Sequence, residues 1–119
     1  MKLAILDDYQ DAARDAADWS SLGADMDITV FNEHLGFDTG PIASALEPFD
    51  ILVAMRERTP FPAELIEALP NLRLLVTTGM RNLAIDMDAA RKQGIDVCGT
   101  QMLPYPAAEH AIALIMDLF

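Results

Sequence analysis

Three arginines stand out in a chain of nineteen acidic and eight basic residues, net charge −11. Arg56 and Arg58 lie in Met55-Arg56-Glu57-Arg58-Thr59, and Arg81 closes Gly79-Met80-Arg81. Each follows an apolar run. A guanidinium is a planar fork of donors that matches a carboxylate, so such a set can line an electropositive pocket for a small acid. Arg56 and Arg81 are read in that role. Arg58 is read as a surface arginine paired with Glu57 or another acid. A second grouping, Asp7-Asp8, ends the apolar run Leu3-Ala4-Ile5-Leu6. Two acids at a strand end can hold Mg²⁺, but that ion wants more oxygen ligands than one short turn supplies. The pair is therefore read as a loop entry whose charge favours the start of the next helix. No metal site is expected.

The other reactive types stand alone. His110, inside Ala107-Ala108-Glu109-His110-Ala111, is a residue type suited to general-base work, but it sits within a helical pattern and is read as structural. His34 has no metal-like partner near it and is read as solvated. Cys98 is the only cysteine, so no intrachain disulfide can form. It ends an apolar strand without a histidine nearby, which points to a buried thiol. Tyr105 and Leu103 either line a cleft or, with prolines on both sides of Tyr105, belong to a rigid turn.

Short apolar runs alternate with helical patterns and must position these residues. Strands are expected at Lys2–Leu6, Ile28–Phe31, Ile51–Ala54, Leu74–Thr77 and Ile95–Cys98. Helices are expected at Asp11–Trp19, Pro41–Leu46, Pro62–Leu69, Asp86–Gln93 and Ala107–Phe119. Near-continuous apolar strands suit a parallel sheet covered on both faces. Pro41 and Pro62 suit first turns, Asp86 an N-cap and Gly94 a C-terminal glycine. The fold class is thus α/β, a doubly wound five-stranded parallel sheet with helices on both faces, in one domain over residues 1–119. Ligands of such sheets bind beyond the carboxyl ends of the strands, here residues 7–10, 55–61, 77–86 and 99–106. The acidic balance repels phosphate backbones, so neither nucleic acid nor an anionic membrane surface is an expected partner. The N-terminus lacks signal-peptide character and the apolar runs fall short of a membrane span, which reads as cytoplasmic.

Paired acids after strand one resemble a response-regulator receiver domain. That chemistry also needs an acid ending strand three and a lysine after strand five. Met55-Arg56 and Gly99-Thr100-Gln101 occupy those places, and the reading fails. A flavodoxin is disfavoured too, because Asp7-Asp8-Tyr9-Gln10 would repel a flavin phosphate.

The stretch LVTTGMRNLAIDMDAARKQGIDVCGT, Leu75 to Thr100, with PNLRLLVTTG before it and AAEHAIALIMDL after it, resembles the NAD-dependent D-isomer-specific 2-hydroxyacid dehydrogenases. The resemblance covers essentially all 119 residues and implies that family's flavodoxin-like substrate domain. The Rossmann domain and its Gly-x-Gly-x-x-Gly fingerprint are absent from this sequence, as are the segments carrying the family's catalytic arginine, glutamate and histidine. The resemblance places Gly79, Met80 and Arg81 on the loop whose N–H groups face the substrate carboxylate. It places Met80 and Ala107 toward the nicotinamide, and Arg56 on the loop that closes from the other side. Leu103 stands where the family commonly has an asparagine. Arg81 replaces a usual second glycine, and Leu83-Ala84 replaces an Asp-Asn pair. The implied substrate is a small 2-hydroxy or 2-keto acid. NAD(P) is implied for the complete enzyme, without tight binding to this chain, which alone should be inactive. The last helix, 107–119, is apolar around most of its circumference and is expected to drive self-association where the Rossmann domain does not cover it. The alternative is a free-standing flavodoxin-like module that binds a small anion or partner protein without catalysis.

Overall fold

Five apolar runs become five parallel strands in the computed structural model, which describes residues 1–103 and 105–118. They are β1 (Lys2–Ile5), β2 (Asp27–Val30), β3 (Ile51–Ala54), β4 (Leu74–Thr77) and β5 (Asp96–Gly99). The sheet order is β2-β1-β3-β4-β5 with every pair parallel. The chain leaves β1 toward one edge and returns across it to build the other, which makes an α/β, flavodoxin-like, doubly wound sheet. The helices are α1 (Ala13–Ala16), α2 (Thr39–Leu46), α3 (Ala63–Glu67), α4 (Met87–Gln93) and α5 (Pro106–Asp117). Right-handed crossovers put α1 on one face and α2, α3 and α4 on the other.

Side chains alternate across the sheet, and the two faces are unequally covered. Ala4, Leu6, Leu52, Ala54 and Leu75 form one core with Ile42 and Leu46 of α2, Leu65 and Ile66 of α3, and Ala89 and Ala90 of α4. Fully burying each large aliphatic side chain contributes about 2 kcal/mol, so this is the stabilising layer. On the other face Ile51, Val53, Leu74 and Val76 remain half-buried. The helix boundaries follow local chemistry. Asp86 accepts from the N–H groups of Asp88 and Ala89 at 3.1 and 2.9 Å, and Gly94 closes α4 at φ 75°.

Two expectations are corrected. The first helix shrinks from Asp11–Trp19 to Ala13–Ala16, followed by a 3-10 turn at Trp19–Leu22. Asp11 takes a left-handed backbone, φ 51°, and Trp19 Nε1 donates to Ala13 O at 2.7 Å, a carbonyl that a longer helix would use. Cys98 is exposed, not buried. β5 is an edge strand, and the alternation turns Val97 toward the core and Cys98 toward the poorly covered face. α5 has no buried residue at all, so His110 lies on an exposed helix. Pro104 of the expected proline turn, and Phe119 at the end of the last helix, lie outside the described residues. No helix among the described residues is long and apolar enough to cross a membrane.

Candidate functional site

β3 and β4 end side by side, so the loops that leave them share a rim. Arg56 takes a left-handed backbone, φ 54°, which costs a residue with a side chain roughly 1–2 kcal/mol. Its surroundings enforce that conformation. The Arg56 N–H donates to Thr78 Oγ1 at 3.0 Å, and its carbonyl accepts from Asn82 Nδ2 at 2.6 Å. Asn82 Nδ2 also reaches Thr77 Oγ1 at 3.0 Å, and its Oδ1 accepts from the Ala84 N–H at 2.9 Å. Further along, the Phe61 N–H donates to Ala84 O at 2.7 Å and the Asp86 N–H donates to Phe61 O at 2.9 Å. Phe61 is wholly buried. The two loops are therefore stapled by four hydrogen bonds, two at Arg56 and two at Phe61.

The loop after β5 closes the rim through two glycines. A Cβ on Gly99 would stand 2.7 Å from Gly79 O, so only glycine allows this approach. Gly79 itself has φ 109°, and a Cβ there would meet Met102 Sδ at 3.1 Å. The Gly79 N–H donates to Thr100 Oγ1 at 2.9 Å, and the Thr100 N–H reaches Gly79 O at 3.2 Å. The result is an open cavity of about 290 Å³ lined by Arg56, Met80, Arg81, Gln101 and Met102. No acid lines it. Among the described residues the N–H groups of Met80 and Arg81 have no acceptor, and the Arg81 guanidinium has no partner. Arg56 Nη1 lies 3.3 Å from Met102 Sδ and among the described residues pairs with no carboxylate. Guanidiniums and free N–H groups of this kind can seat a carboxylate.

Behind this rim, Asp7 and Asp8 divide their work. Asp8 accepts from the Ala12 and Ala13 N–H groups at 3.2 and 2.8 Å, which is the helix-start role expected of it. Asp7 is buried, with φ 58°. It accepts from Thr59 Oγ1 at 2.7 Å, His34 Nδ1 at 3.0 Å and Tyr9 OH at 3.3 Å. His34 is thus not solvated; its ring stacks edge-on to Phe37 at 4.7 Å, and its Nε2 is buried without a partner among the described residues. Among the described residues Arg58 pairs with no acid either. Its Nη1 donates to Asp7 O at 2.6 Å and its guanidinium lies 4.4 Å from the Tyr9 ring centroid. The Tyr9 phenol is pushed above its ordinary value by desolvation first, then by the charge of Asp7 and the bond to it, with Arg58 opposing. Among the described residues no group of acids, histidines and cysteine could hold a metal ion.

Of the residues singled out from sequence, Arg56, Met80 and Arg81 meet at the cavity, with Gly79 directly behind it. Leu103, Tyr105 and Ala107 are exposed and outside its lining. Sequence reasoning missed Gln101 and Met102 as walls, and Thr59, Thr78, Asn82 and Thr100 as supports. Their signal was modest: each is a residue with a usable polar or thioether group in a loop at the carboxyl edge.

The fold and the rim together define an α/β domain with an open, arginine-lined cavity at the carboxyl ends of its strands. The chain belongs to the D-isomer specific 2-hydroxyacid dehydrogenase family, whose catalytic-domain model matches residues 4–113. It is similar to the phosphoglycerate oxidoreductase of Vibrio cholerae O395, with 38% identity and a TM-score of 0.86 over 98% of this chain and 36% of that one. It is 27% identical to the hydroxypyruvate reductase of Blautia hydrogenotrophica over 99% of this chain and 36% of that protein. The D-lactate dehydrogenase of Escherichia coli shares the fold, with a TM-score of 0.77 at 21% identity over 99% of this chain and 37% of that one. The chain thus spans about a third of the length of these relatives.

Proposed function

We propose that residues 1–119 form the substrate domain of an oxidoreductase that interconverts 2-hydroxy and 2-keto acids, with α5 leading toward an NAD(P)-binding domain. The observation that carries this is a cavity lined by Arg56, Met80 and Arg81 with no acid among its described walls, where the Met80 and Arg81 N–H groups and the Arg81 guanidinium have no partner among the described residues. Two of the relatives are named for hydroxypyruvate and phosphoglycerate, both small acids. In this reading Arg81 and the neighbouring N–H groups hold the substrate carboxylate, Arg56 closes on it from the β3 side, and Gln101 and Met102 set the pocket's width. Leu103 and Ala107 join the site only when the second domain is present.

The turn after β1 does not fit a dinucleotide. Asp8 already occupies the N–H groups at the head of α1, and its charge repels a pyrophosphate. NAD(P) is therefore proposed for the complete enzyme alone, where it supplies or accepts the hydride. The contribution of this chain is to bind and orient the acid. The proposed setting is the cytoplasm, where a lone exposed thiol such as Cys98 stays reduced.

Titration of the ¹⁵N-labelled chain with oxalate tests the reading. Oxalate should shift the Met80 and Arg81 amides, and Arg81→Met should weaken binding about tenfold, the loss of one charge-assisted hydrogen bond. The pure chain mixed with NADH and a panel of 2-keto acids should give no oxidation above background. Amides that ignore oxalate, or clear turnover by the chain alone, would refute the assignment.

A further inference from the structure

Asp7 is a wholly buried carboxylate that the proposed acid site leaves unused. It sits at the end of β1, beside β3, where the doubly wound sheet changes direction. Three segments converge on it: Tyr9 from its own loop, His34 from the loop after β2, and Thr59 from the loop after β3. An ionised carboxylate only accepts, so His34 Nδ1 is the donor of its pair. Arg58 adds a fourth tie, through the Asp7 carbonyl at 2.6 Å. The loop that bears Arg56 is thus held at two ends. Thr59 and Arg58 fasten it to Asp7, and Thr78 and Asn82 fasten it to the β4 loop at Arg56 itself. Glu57, between the anchors, is exposed. A strained residue such as Arg56 persists only where the surroundings over-determine its backbone. With four residues from Arg56 to Thr59, release of one anchor leaves room for Arg56 to relax.

We propose that Asp7 is a positioning residue for Arg56: through Thr59 and Arg58 it holds the β3 loop in the left-handed conformation that places the Arg56 guanidinium in the cavity wall. Asp7 does not touch the acid. It acts on affinity through loop geometry, and only this consequence rests on the acid-site reading above.

Asp7→Asn is the sharper variant, because asparagine tolerates the left-handed backbone but presents one carbonyl oxygen to three donors. Thr59→Val removes the anchor from the other side, and Thr59→Ser keeps the hydroxyl. Hydrogen exchange is read at the Arg56 amide and the Asn82 side-chain amide, with Leu75 in the core as reference. The expected result is exchange about tenfold faster at Arg56 and Asn82 in Asp7→Asn and Thr59→Val, with Leu75 unchanged, as local opening without global unfolding requires. Thr59→Ser should restore wild-type rates. If Asp7→Asn does not fold, Thr59→Val against Thr59→Ser decides alone. Equal rates at Arg56 in Thr59→Val and wild type overturn the proposal, as does acceleration at Leu75 by the same factor. Oxalate titration of the same variants separates the two readings. Faster exchange at Arg56 together with weaker oxalate binding supports both. Faster exchange with no oxalate binding even by wild type keeps the positioning role and sinks the acid site.

Discussion

Tyr9 faces the Asp7 carboxylate at 3.3 Å under the Arg58 guanidinium, and its pKa has a consequence for stability. The folded chain raises that pKa, so between the unfolded value of about 10 and the higher folded value the native state binds the extra proton. Stability from this contact is complete below pH ~10 and is lost as the pH rises through the folded value. Urea unfolding of wild type and Tyr9→Phe across the alkaline range should show a steeper loss in wild type. Parallel curves would mean that the phenol and Asp7 do not interact. Exposure of the ring keeps the effect small.

At the level of elements, the cavity depends on how closely the β5 loop approaches the β4 loop. Gly99 sets that distance, since a methyl there would press on the Gly79 carbonyl. Gly99→Ala should cost about 1–3 kcal/mol by overpacking and move Gln101 and Met102 outward. Thermal unfolding together with oxalate titration checks this, with both stability and affinity expected to fall. A variant as stable as wild type would show that the two loops separate without cost.

For the whole molecule, α5 decides the shape. The chain measures 54 × 32 × 24 Å with a radius of gyration of 16.1 Å, against about 13.5 Å for a compact chain of this length. Ile112, Leu114, Ile115, Met116 and Leu118 of this final segment are all exposed, and one sheet face is only half covered. Both are apolar surfaces of the kind that associate. Sedimentation velocity should show a dimer growing with concentration, and Ile112→Glu with Ile115→Glu should return it to monomer. A strictly monomeric wild type at high micromolar concentration would end that proposal.

The amino-acid sequence by itself determined the class of fold and the edge where chemistry gathers. Apolar runs of strand length, caps such as Asp86 and the terminal Gly94 act within a few residues of themselves, so they can be read locally, and all five strands came within a residue or two of their expected bounds. The arginines at the ends of strands were legible for the same reason. The length of the first helix was not, because it turns on a bond between Trp19 and Ala13. The exposure of Cys98 was not, because it depends on which strand lies at the edge. Above all, the tertiary structure alone brought Asp7 to His34, 27 residues away, and to Thr59, 52 residues away. No local pattern encodes such a meeting: the sheet order puts β1 between β2 and β3, and a buried carboxylate then takes whatever donors those neighbours present.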